Sequence, residues 1–255
     1  MSLIKFDEKL CIKSKEIFAK DEVITQIWRK HYAPSNKIGN CSNLFRLHMP
    51  TDVEDFYKKY ITYASLHQEL NIRDRGLSEE EIIKLANEYK EEVESYSEKR
   101  YDISEYINDM LCHIIIETFN GHISEIEVIK YLNSLGYECG YVDGYYDAKY
   151  GIDIVVKSPT KFFIQVKPFS FFLSKRYDTK LDQTKLYDTN NIVKEEFGIN
   201  TFYVIYSKDR ATGKISWIKN KKTDSFCFRL SDIYDNNKNI VINFQKDIVY
   251  SQELK

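Results

Sequence analysis

Apolar residues change their spacing once along the chain, near Gly121: before it they recur every three or four positions, and after it they tend to alternate. Residues 1–120 therefore read as mainly helical. Ser78 precedes Glu79-Glu80-Glu81, so Ser78 as N-cap and Glu81 three residues on form a capping box, followed by apolar Ile82, Ile83, Leu85 and Ala86. This predicts a helix over 79–96. A second helix is predicted from Ile103, because Ile107, Met110, Leu111, Ile114 and Ile115 continue its face, with Asn120-Gly121 as the expected stop. Pro34, Asn36, Gly39 and Asn40 mark residues 32–49 as a long loop.

Past Gly121, Ile126, Ile129, Leu132 and Leu135 make the stripe of a third helix that ends at Gly136. Strand patterns follow at 137–146, at 151–156 (G-I-D-I-V-V) and at 162–172 (F-F-I-Q-V-K-P-F-S-F-F), with a turn at 157–161. A helix over 184–197, closed by Gly198, leads to an apolar strand at 201–206, and Asp209 to Gly213 turn the chain back into a strand at 214–218. This order predicts an α/β (α+β) fold with a mixed sheet flanked by helices. Residues 1–120 are its mainly helical part and 121–255 its sheet-bearing core, in one continuous structural unit.

Polar groups interrupt the two most apolar strands. Asp153 sits among Ile152, Ile154, Val155 and Val156, and Gln165 and Lys167 break up Phe162, Phe163, Ile164, Val166 and Phe169. Side chains alternate along a strand, so Gln165 and Lys167 share one face, and Phe162, Ile164 and Val166 the other. If the turn at 157–161 folds the strands antiparallel, a register pairing residue 153 with 165 or 167 brings Asp153 to the same place.

Composition narrows the picture. The chain has 255 residues, 43% hydrophobic and 15% aromatic, with nine Gly and four Pro, which excludes disordered, collagen-like and linker-rich classes. Thirty-seven Lys and Arg against thirty-nine Asp and Glu leave a formal charge of -2, so bulk positive charge does not coat DNA here, although a local basic cleft is compatible with the sum. Five cysteines (Cys11, Cys41, Cys112, Cys139, Cys227), odd in number and never spaced as CxxC, lead us to expect reduced, mostly buried thiols in the cytoplasm. Charges at Lys5, Asp7, Glu8 and Lys9 argue against a signal peptide, and no apolar run approaches a membrane span, so no membrane partner is expected. Without a Walker loop, a G-x-S-x-G elbow or a dinucleotide fingerprint, ATP is not expected. Cys112 and His113 diverge around a helix and read as packing, while Asp143 and Asp147 read first as turn carboxylates.

The Asp153 carboxylate, the Gln165 amide oxygen and the Val166 backbone carbonyl are hard ligands suited to Mg²⁺, with Mn²⁺ able to substitute. Such a metal polarises a phosphoryl oxygen and acidifies bound water, while Lys167 positions or deprotonates that water and offsets developing charge. The expected product of such a site would be a hydrolysed phosphodiester. The competing reading makes Asp153 and Lys167 a structural ion pair on a half-solvated sheet, with Gln165 exposed.

Asp153, eleven intervening residues, then Gln165-Val166-Lys167 resemble the signature of the PD-(D/E)XK nuclease superfamily, in the variant with Gln at the second acidic position. Glu125, Val128, Tyr131, Leu132 and Gly136 resemble the Glu-x-x-Val-x-x-aromatic-Leu pattern, ending at Gly, on the helix before its first strand. The likeness covers about residues 121–206 and departs at Ile152, where the name-giving Pro would stand, and at Gln165, which removes a negative charge. It implies a restriction-endonuclease-like core in which Asp153, Gln165 and Lys167 are catalytic. Glu125 is then the helix carboxylate that holds a metal or orients Lys167, with Glu127 a rival for the role. A chain of this size without an ATPase portion is most similar to a type II restriction endonuclease. That implies cleavage of double-stranded DNA at a short specific sequence, a homodimer, base reading or dimerisation by residues 1–120, and a cognate DNA methyltransferase encoded nearby. The alternatives are a structure-specific or repair nuclease of the same fold and a catalytically dead DNA-binding module. Lys175, Arg176, Lys180 and Lys185, with Lys219, Lys221 and Lys222 after the later strand, are the candidate DNA contacts.

Overall fold

A computed structural model describes residues 22–32, 35–96, 101–173, 180–208, 214–235, 240–243 and 246–254. The chain divides into two compact units, Met1–His122 and Ile123–Lys255.

The regular elements described in the first unit are helices: α1 (Glu22–Tyr32), α2 (Ser35–Ile38), α3 (Cys41–His48), α4 (Val53–Leu66), α5 (Ile72–Arg75), α6 (Glu79–Tyr96) and α7 (Ile103–Leu111). The capping box of α6 is present, with the Ser78 N–H donating to Glu81 Oε2 at 2.8 Å and the Glu81 N–H to Ser78 Oγ at 3.4 Å. Its buried face is Ile82, Ala86, Tyr89 and Val93. Where a long loop over 32–49 is expected, the described residues 35–48 form two short helices. Gly39, at φ 86°, and Asn40 separate two short helices, and Asn40 Oδ1 accepts the Asn43 N–H at 3.2 Å to start α3, which buries Leu44 and Phe45. Of the residues that read as loop punctuation, Asn40 is a helix cap, Asn36 lies within α2, and Pro34 falls outside the described residues.

Asn120-Gly121 does not end a helix either. A π-helical turn, Cys112–Ile116, joins α7 to α8 (Glu117–Ser134), which runs through Gly121 and carries the boundary between the units. Glycine stops a helix when it turns left-handed; Gly136 does so at φ 85°, and Gly121 does not. Of the predicted stripe, Leu132 is buried, Ile126 and Ile129 are half-buried and Leu135 is exposed beyond the last turn; Val128, outside that stripe, is buried with Leu132.

The second unit holds β1 (Glu138–Tyr141), α9 (Gly144–Tyr150), β2 (Ile154–Ser158), β3 (Phe162–Pro168), α10 (Phe169–Leu173), α11 (Lys180–Phe197), β4 (Thr201–Lys208), β5 (Ile215–Asn220), β6 (Cys227–Phe228), α12 (Leu230–Ile233) and β7 (Ile248–Ser251). A seven-stranded mixed sheet flanked by helices runs β1-β2-β3-β4-β5-β7, with β6 also pairing β4. Among the described strands only the β3–β4 pairing is parallel, and α11 supplies the crossover that a parallel pair needs.

Two predicted strands are shorter than their apolar patterns. The first stops at Tyr141: the Asp143 carbonyl accepts the Tyr146 and Asp147 N–H groups to open α9, and Gly151, at φ 64°, closes it by donating to the Asp147 carbonyl at 2.8 Å. The other stops at Pro168, which has no N–H to continue a ladder, and α10 takes the following phenylalanines. The turn from Asp209 to Gly213 lies outside the described residues.

Ile154, Val156, Ile164, Val166, Val204 and Trp217 pack with Val128 and Leu132 of α8 on one face of the sheet. Phe163 faces the opposite side among Tyr150, Ile152, Val193 and Ile199. Cys41 and Cys112 are buried and Cys139 and Cys227 half-buried, all four as free thiols; Cys11 lies outside the described residues. Burial pushes the Cys41 thiol up to about 12 and the Cys227 thiol to about 11, which keeps both unreactive. No helix among the described residues is long and apolar enough to cross a membrane.

The glycines divide in a testable way. A Cβ on Gly39 would stand 2.7 Å from Gly76 Cα at a left-handed φ, whereas Gly121 is helical with open space. Urea unfolding is expected to show Gly39→Ala destabilised by about 2–4 kcal/mol, combining the left-handed penalty with overpacking. Gly121→Ala is expected to stabilise by about 0.5–1 kcal/mol.

Candidate active site

The β2–β3 ladder pairs Val156 with Phe162, Val155 with Phe163 and Ile154 with Ile164. Continued one step, it would set Asp153 against Gln165. Instead the Asp153 N–H donates to the Ile164 carbonyl at 3.0 Å, so residues 153 and 154 together meet one residue of β3, as in a β-bulge. A bulge re-aims a side chain, and the Asp153 carboxylate turns along β3. Its Oδ2 accepts the Val166 N–H at 2.7 Å and Lys167 Nζ at 3.1 Å.

Asp153 is 5% exposed and Gln165 3%, whereas the Lys167 side chain reaches partly to solvent. Gln165 is therefore not the exposed residue that a simple surface ion pair would leave. Its Nε2 donates to the Tyr150 carbonyl at 3.3 Å. The N–H and C=O of one strand residue point to the same neighbour, so the Val166 carbonyl faces the β2 side with the N–H that Asp153 accepts.

Glu125, on α8, is buried, and its negative charge acts on Asp153. Burial pushes the Asp153 carboxyl up to about 6; the Lys167 ammonium works against the rise and Glu125 adds to it. Glu127 is exposed, so of the two helix carboxylates Glu125 is the one that belongs with Asp153.

With all three groups charged, Asp153, Glu125 and Lys167 sum to a net charge of -1 in a poorly solvated place. A divalent cation fits that excess. Among the described residues no group of three or more His, Cys, Asp and Glu could hold a metal, so a cation here would combine the two carboxylates with the Gln165 amide oxygen and the Val166 carbonyl. Those are oxygen donors of the kind Mg²⁺ and Mn²⁺ take, not the nitrogen and sulfur of a zinc site.

The other residues named from sequence fare differently. Lys219 lies within β5, not after it; its Nζ pairs with Asp224 at 2.7 Å and rests over the Phe226 ring, on the Trp217 side of the sheet. It does not join Asp153. Lys221 and Lys222 are exposed, and Lys222 Nζ is 3.6 Å from Asp247. Lys180 and Lys185 lie on α11 with side chains outside the described set, and Lys175 and Arg176 fall outside the described residues. Asp143 is exposed at the start of α9, and Asp147 lies within that helix. Tyr150 and Glu196 went unnamed in the sequence: the Tyr150 hydroxyl donates to Glu196 Oε2 at 2.6 Å, a link between distant segments that no spacing signals.

No protein-family model, curated protein or solved structure matches the chain. A functional reading therefore stands on the chemistry of these side chains.

Because the fold favours neutral Asp153, the group's contribution to stability is full below the ordinary carboxylate value near 4 and is lost as pH rises through about 6. In the absence of divalent cations, unfolding free energy is expected to fall across that window by at most about 1.4 kcal/mol per pH unit. Asp153→Asn is expected to flatten this slope in denaturant titrations. An unchanged slope in the variant would show that the charge of Asp153 is not the buried one.

Proposed function

We propose that the chain is a Mg²⁺-dependent endonuclease with a restriction-endonuclease-like core, hydrolysing phosphodiester bonds in double-stranded DNA at a short specific sequence. The observation that carries this reading is the Lys167 ammonium 3.1 Å from a buried Asp153 carboxylate, on a strand that also buries the Gln165 amide, with a second buried carboxylate, Glu125, whose charge acts on Asp153. As a stabiliser such a pair is weak, because desolvating both ions offsets much of their attraction. As a site for a cation and a phosphate the same charges have a use.

Asp153, Glu125, the Gln165 amide oxygen and the Val166 carbonyl would hold the ion. When bound, Mg²⁺, or Mn²⁺ in its place, supplies polarisation of a phosphoryl oxygen and acidification of a coordinated water. The Val166 N–H, donating to Asp153 Oδ2 at 2.7 Å, holds the carboxylate in direction along β3. Lys167 Nζ, anchored on Asp153 Oδ2 yet partly open to solvent, orients the attacking water and offsets the charge that develops on the phosphoryl oxygens. ATP has no part in this chemistry. Cutting both strands calls for two such sites, hence a homodimer acting in the cytoplasm, with a DNA methyltransferase encoded nearby to protect the host sequence.

Incubation of the purified protein with unmethylated phage DNA and Mg²⁺ is expected to yield discrete fragments, absent with EDTA. Asp153→Ala and Lys167→Ala are each expected to lower the cleavage rate by at least about 10²-fold with DNA binding retained, and Gln165→Ala to keep some activity. A smear would remove the sequence specificity from the proposal, and cutting confined to branched DNA would replace it with a structure-specific nuclease. Binding without cutting on any DNA would leave a binding module.

A further inference from the structure

An amide has a donor end and an acceptor end, and a backbone carbonyl can only accept. The buried Gln165 Nε2 donates to the Tyr150 carbonyl at 3.3 Å, so that bond decides which end of the side chain is left for other partners. The oxygen is the end left over. A carboxylate in the same place would set acceptor against acceptor.

The Tyr150 carbonyl belongs to the peptide that Gly151 completes, and Gly151 holds a left-handed φ of 64° while its N–H closes α9 on the Asp147 carbonyl at 2.8 Å. Residues with a Cβ resist that φ, and any change in it rotates the peptide plane that carries the carbonyl. Space is not the constraint, because a Cβ on Gly151 would stand 4.0 Å from Gln165 Nε2. From the other side the Tyr150 ring is fixed by its hydroxyl bond to Glu196 and by its edge-on packing with Phe197.

We propose that Gly151 and the Tyr150 carbonyl are positioning elements of the cation site: the left-handed turn aims the carbonyl, and the carbonyl turns the Gln165 amide so that its oxygen, not its nitrogen, serves the ion beside Asp153. The inference rests on the metal-site reading above and deepens it by naming what makes an amide the fitting group at position 165.

The probe is Mn²⁺ alone, its binding followed by loss of the free-ion electron paramagnetic resonance signal, with melting temperature recorded for every variant. Gly151→Val is expected to weaken Mn²⁺ binding by about fivefold or more, the cost of a residue that avoids the left-handed region. Gly151→Asn, which tolerates that region, is expected to stay within about twofold of wild type. In a Gln165→Ala background Gly151→Val is expected to change binding by less than about twofold, since the turn acts through the amide. Where Gly151→Val does not fold, Gly151→Ala takes its place in the same cycle. Equal losses in both backgrounds, or none in either, would overturn the proposal while leaving the metal site standing. Absence of Mn²⁺ binding by the wild-type protein would overturn the metal-site reading itself, and this inference with it.

Discussion

Everything at the site depends on one buried carboxylate. Asp153 is held at the end of β2 by the Val166 N–H and the Lys167 ammonium, and an ionised carboxyl so placed costs several kcal/mol unless it is well bonded. The β2–β3 ladder makes this arrangement possible. Ile154, Val156, Ile164 and Val166 face α8 across the core, and a one-residue slip would move that apolar set out of it, so packing specifies the register. The irregularity at 153–154 then turns the acid along β3.

The surrounding elements each deliver one group to that point. α8 brings Glu125 while its next turns bury Val128 and Leu132 in the core, so the helix that packs the sheet also places the second carboxylate. The end of α9 presents the Tyr150 carbonyl to Gln165. The parallel β3–β4 pair, with Gln165 beside Tyr203 and Lys167 beside Ile205, holds the polar strand inside the sheet rather than on its edge.

The alternation that put Gln165 and Lys167 on one face, and the antiparallel return that brings Asp153 to them, could be read from the chain because a two-residue period is imposed by backbone geometry alone. The capping box of α6 was legible for a similar reason: its bonds lie within four residues. Conformation at glycine and asparagine was not. Gly121 and Gly136 look alike in sequence, and only the second turns left-handed; Asn40 read as loop but caps a helix. The burial that separates Glu125 from Glu127 depends on how α8 rolls against the sheet, and the engagement of Lys219 by Asp224 depends on how far β5 extends. Tyr150 and Glu196 meet only because α9 and α11 pack together, a contact set by the tertiary fold.

The most direct test of this account is anomalous diffraction at the manganese edge from crystals of the protein soaked in Mn²⁺. A single anomalous peak about 2.0–2.4 Å from an Asp153 carboxylate oxygen and the Val166 carbonyl, with the Gln165 oxygen turned toward it, is the result the account requires. A peak elsewhere on the surface with none beside Asp153 would reduce Asp153 and Lys167 to a structural ion pair.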